Sequence, residues 1–348
     1  MWQKILERLL KGKPELSARK FVEVEVPRLG VSGANVIVLT DSKDFYVLKW
    51  ADPRSEHPIM VQVQKREEVA NLYGENHVPA IVASNHEAML MVYAGDTLSW
   101  AVNRNALSLT ELARRVDIVY GKVSSVWLKK KNQPYTTAEM LARQPLERWK
   151  RIKRAVLEQN LHGVALQREQ GLPLVVNGQH LPPLRNLLRL VRKMYQPPKR
   201  IVYCHGDLTG DNILVDRATD DGWQFIDFDW VGWHDWRVAA SFMGYWWWSN
   251  HSTVNNASIS VEGRRLIIDY SVEESAAAKL VMKRADAFAQ RIGERFGEQS
   301  TQRDQLRLQG AILLLGDLRF VEERGRMPEH SIALLGKGIE LLATFLPK

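Results

Sequence analysis

The chain has 348 residues, 45% hydrophobic and 25% charged, with a formal net charge of +8. That balance excludes a disordered or collagen-like chain, and the length predicts two lobes with enough buried surface to need no staples. Cys204 is the single cysteine, which excludes an internal disulfide and a cysteine-based zinc site and fits a reducing, cytoplasmic compartment.

No run of about 18 apolar residues occurs, so no membrane-spanning helix is expected. Residues 1–20 open with Trp2, Ile5, Leu6 and Leu9 on one stripe of a short amphipathic helix and lack the apolar core of a signal peptide. The helix is expected to dock on the body; attachment to a membrane surface is the other reading. Charge is unevenly spread. Residues 101–200 carry 20 Lys and Arg against 6 acids, residues 1–100 carry 12 against 13, and residues 201–348 carry 16 against 21. A basic middle is either a solvated helix face or a surface for a polyanion.

Residues 21–95 read as a β-rich lobe. Phe21 to Val26 alternates with period two, and Asn35–Leu39 and Phe45–Lys49 flank a turn at Asp41-Ser42-Lys43-Asp44. Residues 60–74 read as a helix. Ala80–Ser84 and Ala88–Tyr93 form a second hairpin around Asn85-His86-Glu87. Gly95-Asp96 breaks the pattern and marks the lobe boundary. Residues 96–348 read as a mainly helical lobe, with helices expected over 97–102, 107–126, 137–170 with interruptions, 184–194, 272–296, 302–323 and 331–345. Short β-rich runs surround a polar loop between Ile201 and Asp229. A β-rich lobe followed by a helical one is an α+β architecture.

The chemistry is concentrated in that loop, Cys204-His205-Gly206-Asp207-Leu208-Thr209-Gly210-Asp211-Asn212, and in Gln224-Phe225-Ile226-Asp227-Phe228-Asp229 beyond it. Phosphoryl transfer needs a carboxylate to align a hydroxyl and take its proton. It also needs hard oxygen donors, such as a carboxamide and a second carboxylate, to hold Mg²⁺ on the phosphates. The joint pattern His-x-Asp-x4-Asn followed by Ile-Asp-Phe supplies them.

This pattern resembles the aminoglycoside phosphotransferase and choline kinase superfamily, the small-molecule branch of the protein-kinase-like fold, over about residues 28–240. Gly206 stands where protein kinases usually have arginine. The resemblance implies a bilobal fold with a catalytic loop at 203–212 and a metal segment at 224–229. It implies Asp207 as the catalytic aspartate, Asn212 and Asp227 as Mg²⁺ ligands, and His205 as a support of the loop. In the first lobe it implies Lys49, at a strand end, as the phosphate-binding lysine. Its partner is Glu68, four residues before Leu72, with Glu67 the alternative. Gly30, Ser32 and Gly33 would cover phosphates with backbone N–H groups, and backbone groups near Met91 and Tyr93 would meet adenine. Asp229, Trp233 and Trp236 are candidate acceptor contacts, in a region crowded with Trp230 and Trp246 to Trp248, where core packing is the competing reading. One departure is Arg237, which stands where some relatives carry an acid, with Asp235 two residues earlier.

The function implied is an ATP- and Mg²⁺-dependent O-phosphotransferase for an aminoglycoside-like, sugar or amino-alcohol acceptor. Two alternatives stay open: a lipopolysaccharide-core sugar kinase at the inner membrane, which the basic segment and N-terminal helix fit, and a nucleotide-binding pseudokinase. Nothing resembles a nucleic-acid-binding signature.

Overall fold

The computed structural model describes residues 1–24, 35–51, 58–129, 132–135, 152–215, 222–321 and 326–347. Gly30, Ser32 and Gly33 lie outside the described residues, as do residues 137–151 of the helical pattern expected over 137–170. The chain forms two compact units. The first comprises Met1–Ser108 with Gly210–Val231, and the second comprises Leu109–Thr209 with Gly232–Lys348. The contacts thus place residues 96–108 and 210–231 with the first unit, whereas the expected second lobe runs from 96 to 348.

The first unit is built on an antiparallel sheet of order β1-β2-β3-β5-β4. Its strands are β1 (Val22–Val24), β2 (Asn35–Thr40), β3 (Phe45–Trp50), β4 (Ile81–Ser84) and β5 (Ala88–Val92). Both hairpins are set by turn side chains. Asp41 Oδ1 accepts from the amides of Lys43 and Asp44 at 3.0 and 2.8 Å, with Ser42 at φ 76°. Asn85 Oδ1 accepts from Glu87 and Ala88 at 2.9 Å each. Helix α1 (Trp2–Leu10) buries Ile5, Leu6, Leu9 and Leu10 against Leu39, Leu48 and Leu90. Its apolar stripe is therefore core, which favours the docked helix over the membrane anchor. Helix α2 (Ile59–Tyr73) buries Ile59, Val69 and Tyr73.

After β6 (Asp96–Thr97), Thr97 caps α3 (Leu98–Asn103) by accepting from the amide of Trp100. The chain returns to this unit as β13 (Ile213–Val215) and β14 (Trp223–Phe225), in a sheet of order β14-β13-β6.

The second unit begins with α4 (Leu109–Lys129). It holds the sheet β15-β12-β7, formed by β7 (Asn132–Pro134), β12 (Arg200–Cys204) and β15 (Gly232–Asp235). A small hairpin, β8 (Asn160–Leu161) with β9 (Val164–Ala165), precedes β10 (Leu174–Val176), β11 (Gln179–Leu181) and α5 (Leu184–Met194). The C-terminal part packs α6 (Trp236–His251), α7 (Ala276–Phe296), α8 (Gln299–Asp317) and α9 (Pro328–Ala343). Among the described residues no helix is long and apolar enough to cross a membrane.

Two sequence expectations are corrected here. The segment before α7, given no element above, is a long hairpin, β16 (Ser252–Glu262) and β17 (Arg265–Glu274), in a four-stranded sheet of order β11-β10-β17-β16. The helix expected from 272 starts at Ala276, where Ser275 Oγ accepts from the amide of Ala278 at 3.0 Å. The pattern at 302–323 resolves into α8, ending at Asp317, and a single short turn Leu318–Phe320.

His251 ends α6 stacked on Trp247, with centroids 4.0 Å apart at 17°. Burial, reinforced by the charge of Arg326, lowers its pKa from 6.5 to about 4. The unfolded chain therefore binds the extra proton first. The stability tied to neutral His251 is present above pH 6.5 and is lost as pH falls towards 4, by up to about 3 kcal/mol. Thermal melts at pH 7 and pH 4.5 should show a gap between wild type and His251→Asn that shrinks in acid; a pH-independent gap would refute the assignment.

Candidate active site

Lys49 lies one residue from the end of β3, flanked in the sheet by β2 and β5. Strand alternation sends Tyr46 and Leu48 to the face packed by α1 and puts Lys49 on the opposite face with Val47. Only 6% exposed, its ammonium requires an anionic partner. That partner is Asp227, whose Oδ1 stands 3.2 Å from Nζ. The two residues are 178 positions apart in sequence.

Hairpin register places Asn212 near Asp227. Ile213 pairs with Phe225, so Asn212 and Ile226 lie just past the same end of the β13–β14 ladder, where Ile226 N–H donates to Asn212 O at 3.1 Å. Asn212 is buried, while the Asp227 side chain keeps 26% of its surface. Asp227 has φ 62° and ψ 78°, a left-handed conformation that a non-glycine residue holds at a cost of order 1–3 kcal/mol. Among the described residues no cluster of three or more His, Cys, Asp or Glu side chains could hold a metal. A carboxylate with a carboxamide is instead the sparse, hard-oxygen set that suits Mg²⁺ sharing its remaining positions with water and phosphate.

On α2, Glu68 is half-buried and Glu67 exposed, which favours Glu68 as the inward acid. Met91 is buried in β5, pairing with Val47 on one side and Ile81 on the other. The Tyr93 amide donates to Phe45 O at 2.9 Å and its hydroxyl to Asp96 Oδ1 at 2.9 Å. The Tyr93 N–H is thus engaged with Phe45 just past the end of β5. Gly95, at φ 121°, turns the backbone just beyond.

Asp207 belongs to the second unit, on the loop leaving β12. His205, Leu208 and Thr209 around it are 0%, 1% and 5% exposed, and Gly206 turns the chain at φ 81°. Asp207 O accepts from the amide of Thr209 at 2.9 Å. The carboxylate is thus carried on a loop anchored by its neighbours' burial.

The aromatic candidates divide by burial. Trp233 is half-buried on β15, edge-on to Tyr203 at 5.4 Å. Trp236 is fully buried against Phe296, which removes it from the acceptor contacts. Trp246, Trp247 and Trp248 are likewise core. In the first unit, Trp230 is 41% exposed and Asp229 only 8%. Asp235 caps α6, accepting from the Arg237 amide at 3.0 Å, and grips the Arg237 guanidinium through both oxygens. It is therefore committed to structure. Lys65 on α2, which donates through Nζ to Asp229 O, was missed from sequence.

The model of the phosphotransferase enzyme family matches residues 23–249. No curated protein matches the chain in sequence. Solved structures do match in fold. Choline kinase from Cryptosporidium parvum Iowa II superposes with a TM-score of 0.54 at 11% identity, over 98% of this chain and 94% of that one. A choline/ethanolamine kinase family protein from Mesorhizobium loti gives 0.52 at 11%, over 99% and 100%. LicA in complex with AMP gives 0.53 at 10%, over 98% of each. At these identities the likeness concerns the fold.

Proposed function

The chain belongs to the phosphotransferase enzyme family, and from that premise we propose that it moves the terminal phosphoryl group of ATP, with Mg²⁺, to a hydroxyl of an aminoglycoside-like, sugar or amino-alcohol acceptor. The observation that carries this reading is the buried Lys49 ammonium 3.2 Å from Asp227, with Asn212 at the same hairpin end. Lys49 orients the phosphates. Asn212 and Asp227 hold Mg²⁺, which when bound neutralises phosphate charge. Asp207 aligns the acceptor hydroxyl and takes its proton. Glu68 supports Lys49 from α2, and backbone groups near Met91 and Tyr93 receive the base edge. Asp229 and Trp233 are retained as acceptor-side candidates, and Gly30, Ser32 and Gly33 as the phosphate cover. Such a set works chiefly by positioning and charge neutralisation.

Full-length protein with ATP, Mg²⁺ and a panel of amino sugars, neutral sugars and amino alcohols should show acceptor-dependent ADP release. Release by wild type that persists unchanged in Asp207→Ala would overturn the assignment.

A second reading, an anionic acceptor presented at a membrane, is favoured by one feature. Helix α5 exposes Arg185, Arg189, Arg192 and Lys193 and contains no acid. Its like charges four residues apart oppose helix stability rather than support it. Salt-sensitive co-sedimentation with anionic vesicles would support this reading.

A further inference from the structure

We infer that α2 holds the Asp227 turn from both sides, and that Lys65 is a positioning residue for the metal-binding carboxylate. The inference rests on the proposed role of Asp227. Two contacts of the first unit carry it. Tyr73, 2% exposed on α2, packs edge-on against Phe225 with centroids 5.2 Å apart at 73°. Lys65, on the same helix, donates through Nζ to the backbone carbonyl of Asp229. The anchored residues stand two before and two after Asp227.

Asp227 stands between the two anchored residues, where the chain leaves β14 and enters the short 3₁₀ helix Phe228–Trp230. A left-handed aspartate persists only where its surroundings over-determine the backbone. An aromatic contact upstream and an ammonium–carbonyl hydrogen bond downstream provide that constraint. Glu68, three residues after Lys65, shares the helix, so one rigid element sets both the acid proposed for Lys49 and the turn that presents Asp227.

The hydrogen bond goes to a backbone oxygen. Arg, which can also donate to a carbonyl, should therefore replace Lys65 where Met cannot. Mn²⁺ binding to the full chain in the presence of ADP, read by electron paramagnetic resonance, tests this without turnover. Lys65→Met should weaken Mn²⁺ binding by about tenfold, the usual cost of losing a supporting partner, and Lys65→Arg should restore it. Amide exchange in Lys65→Met should rise at 226–231 and not across β2 to β5. Wild-type Mn²⁺ affinity in Lys65→Met overturns the inference, and so does a uniform rise in exchange, which would mark general destabilisation. Asp227→Ala run in parallel separates the two layers. If it too binds Mn²⁺ like wild type, the proposed function falls and this inference with it. If it loses Mn²⁺ while Lys65→Met does not, only the role of Lys65 falls.

Discussion

Asp207→Asn should lower kcat by about 10²- to 10⁴-fold, the range expected for loss of a positioned general base, with KM for ATP little changed. The substitution keeps size and hydrogen-bonding shape and removes only the basic charge. The loop should survive it, because its anchors are elsewhere: His205, Leu208 and Thr209 are buried, and the bond that closes the turn runs from the Thr209 amide to the backbone oxygen of Asp207. A change confined to kcat is the signature of an interaction made with the reacting hydroxyl rather than with bound nucleotide. Lys49→Met should behave differently. It leaves Asp227 without the ammonium 3.2 Å away and removes a phosphate contact, so both KM for ATP and kcat should suffer. Steady-state kinetics with ATP and acceptor varied in turn distinguish the two. A kcat for Asp207→Asn within a few-fold of wild type would remove Asp207 from the chemistry.

The parts of this site legible in the sequence are those whose signal is local. Asp41 and Asn85 announced their hairpins, because a side chain that bonds the amides two and three residues on is a turn wherever it occurs. Helix α5 was read over its observed span, Leu184–Met194, because its apolar residues recur at helical spacing between a proline pair and the next strand. Asn212 and Asp227 stand out together in the sequence because the His-x-Asp-x4-Asn and Ile-Asp-Phe runs lie fifteen residues apart, and the β13–β14 register brings Asn212 and Ile226 to one end of the hairpin. The β16–β17 hairpin was not legible. Its inner strand β17 is held by β10, so that Leu174 pairs in parallel with Leu266, and its buried face is supplied by α9 and not by neighbours in sequence. A partner that distant leaves only Ala257 and Ile259 as buried positions within β16, too few to reveal a strand. Lys65 was illegible for another reason. Its acceptor is a backbone carbonyl 164 positions away, and a carbonyl has no residue type to recognise.

Arg237→Met should destabilise the second unit by about 3–5 kcal/mol, the cost of breaking a buried ion pair by removing one partner. Arg237 and Asp235 side chains are 1% and 0% exposed. Burial is the largest influence on the Arg237 charge and opposes it, but the charge and hydrogen bonds of Asp235 outweigh burial and hold the guanidinium above its ordinary pKa. The guanidinium also donates to Gln196 O at 2.6 Å and stands 3.8 Å from Glu298, a carboxyl that burial raises. Glu298 in turn accepts from the Lys199 amide at 2.6 Å. One cation therefore joins the start of α6, the residues after α5 and the residue before α8. With methionine in its place, two buried carboxyls lose their counter-charge and the Gln196 carbonyl loses its donor. Asp235→Asn combined with Arg237→Met should recover part of the loss, since asparagine still caps α6 and carries no charge to bury. Urea midpoints of the two single variants and the double variant give the coupling directly. Additive losses would mean that the pair is not a unit, and an Arg237→Met variant as stable as wild type would show that these carboxyls are satisfied without it.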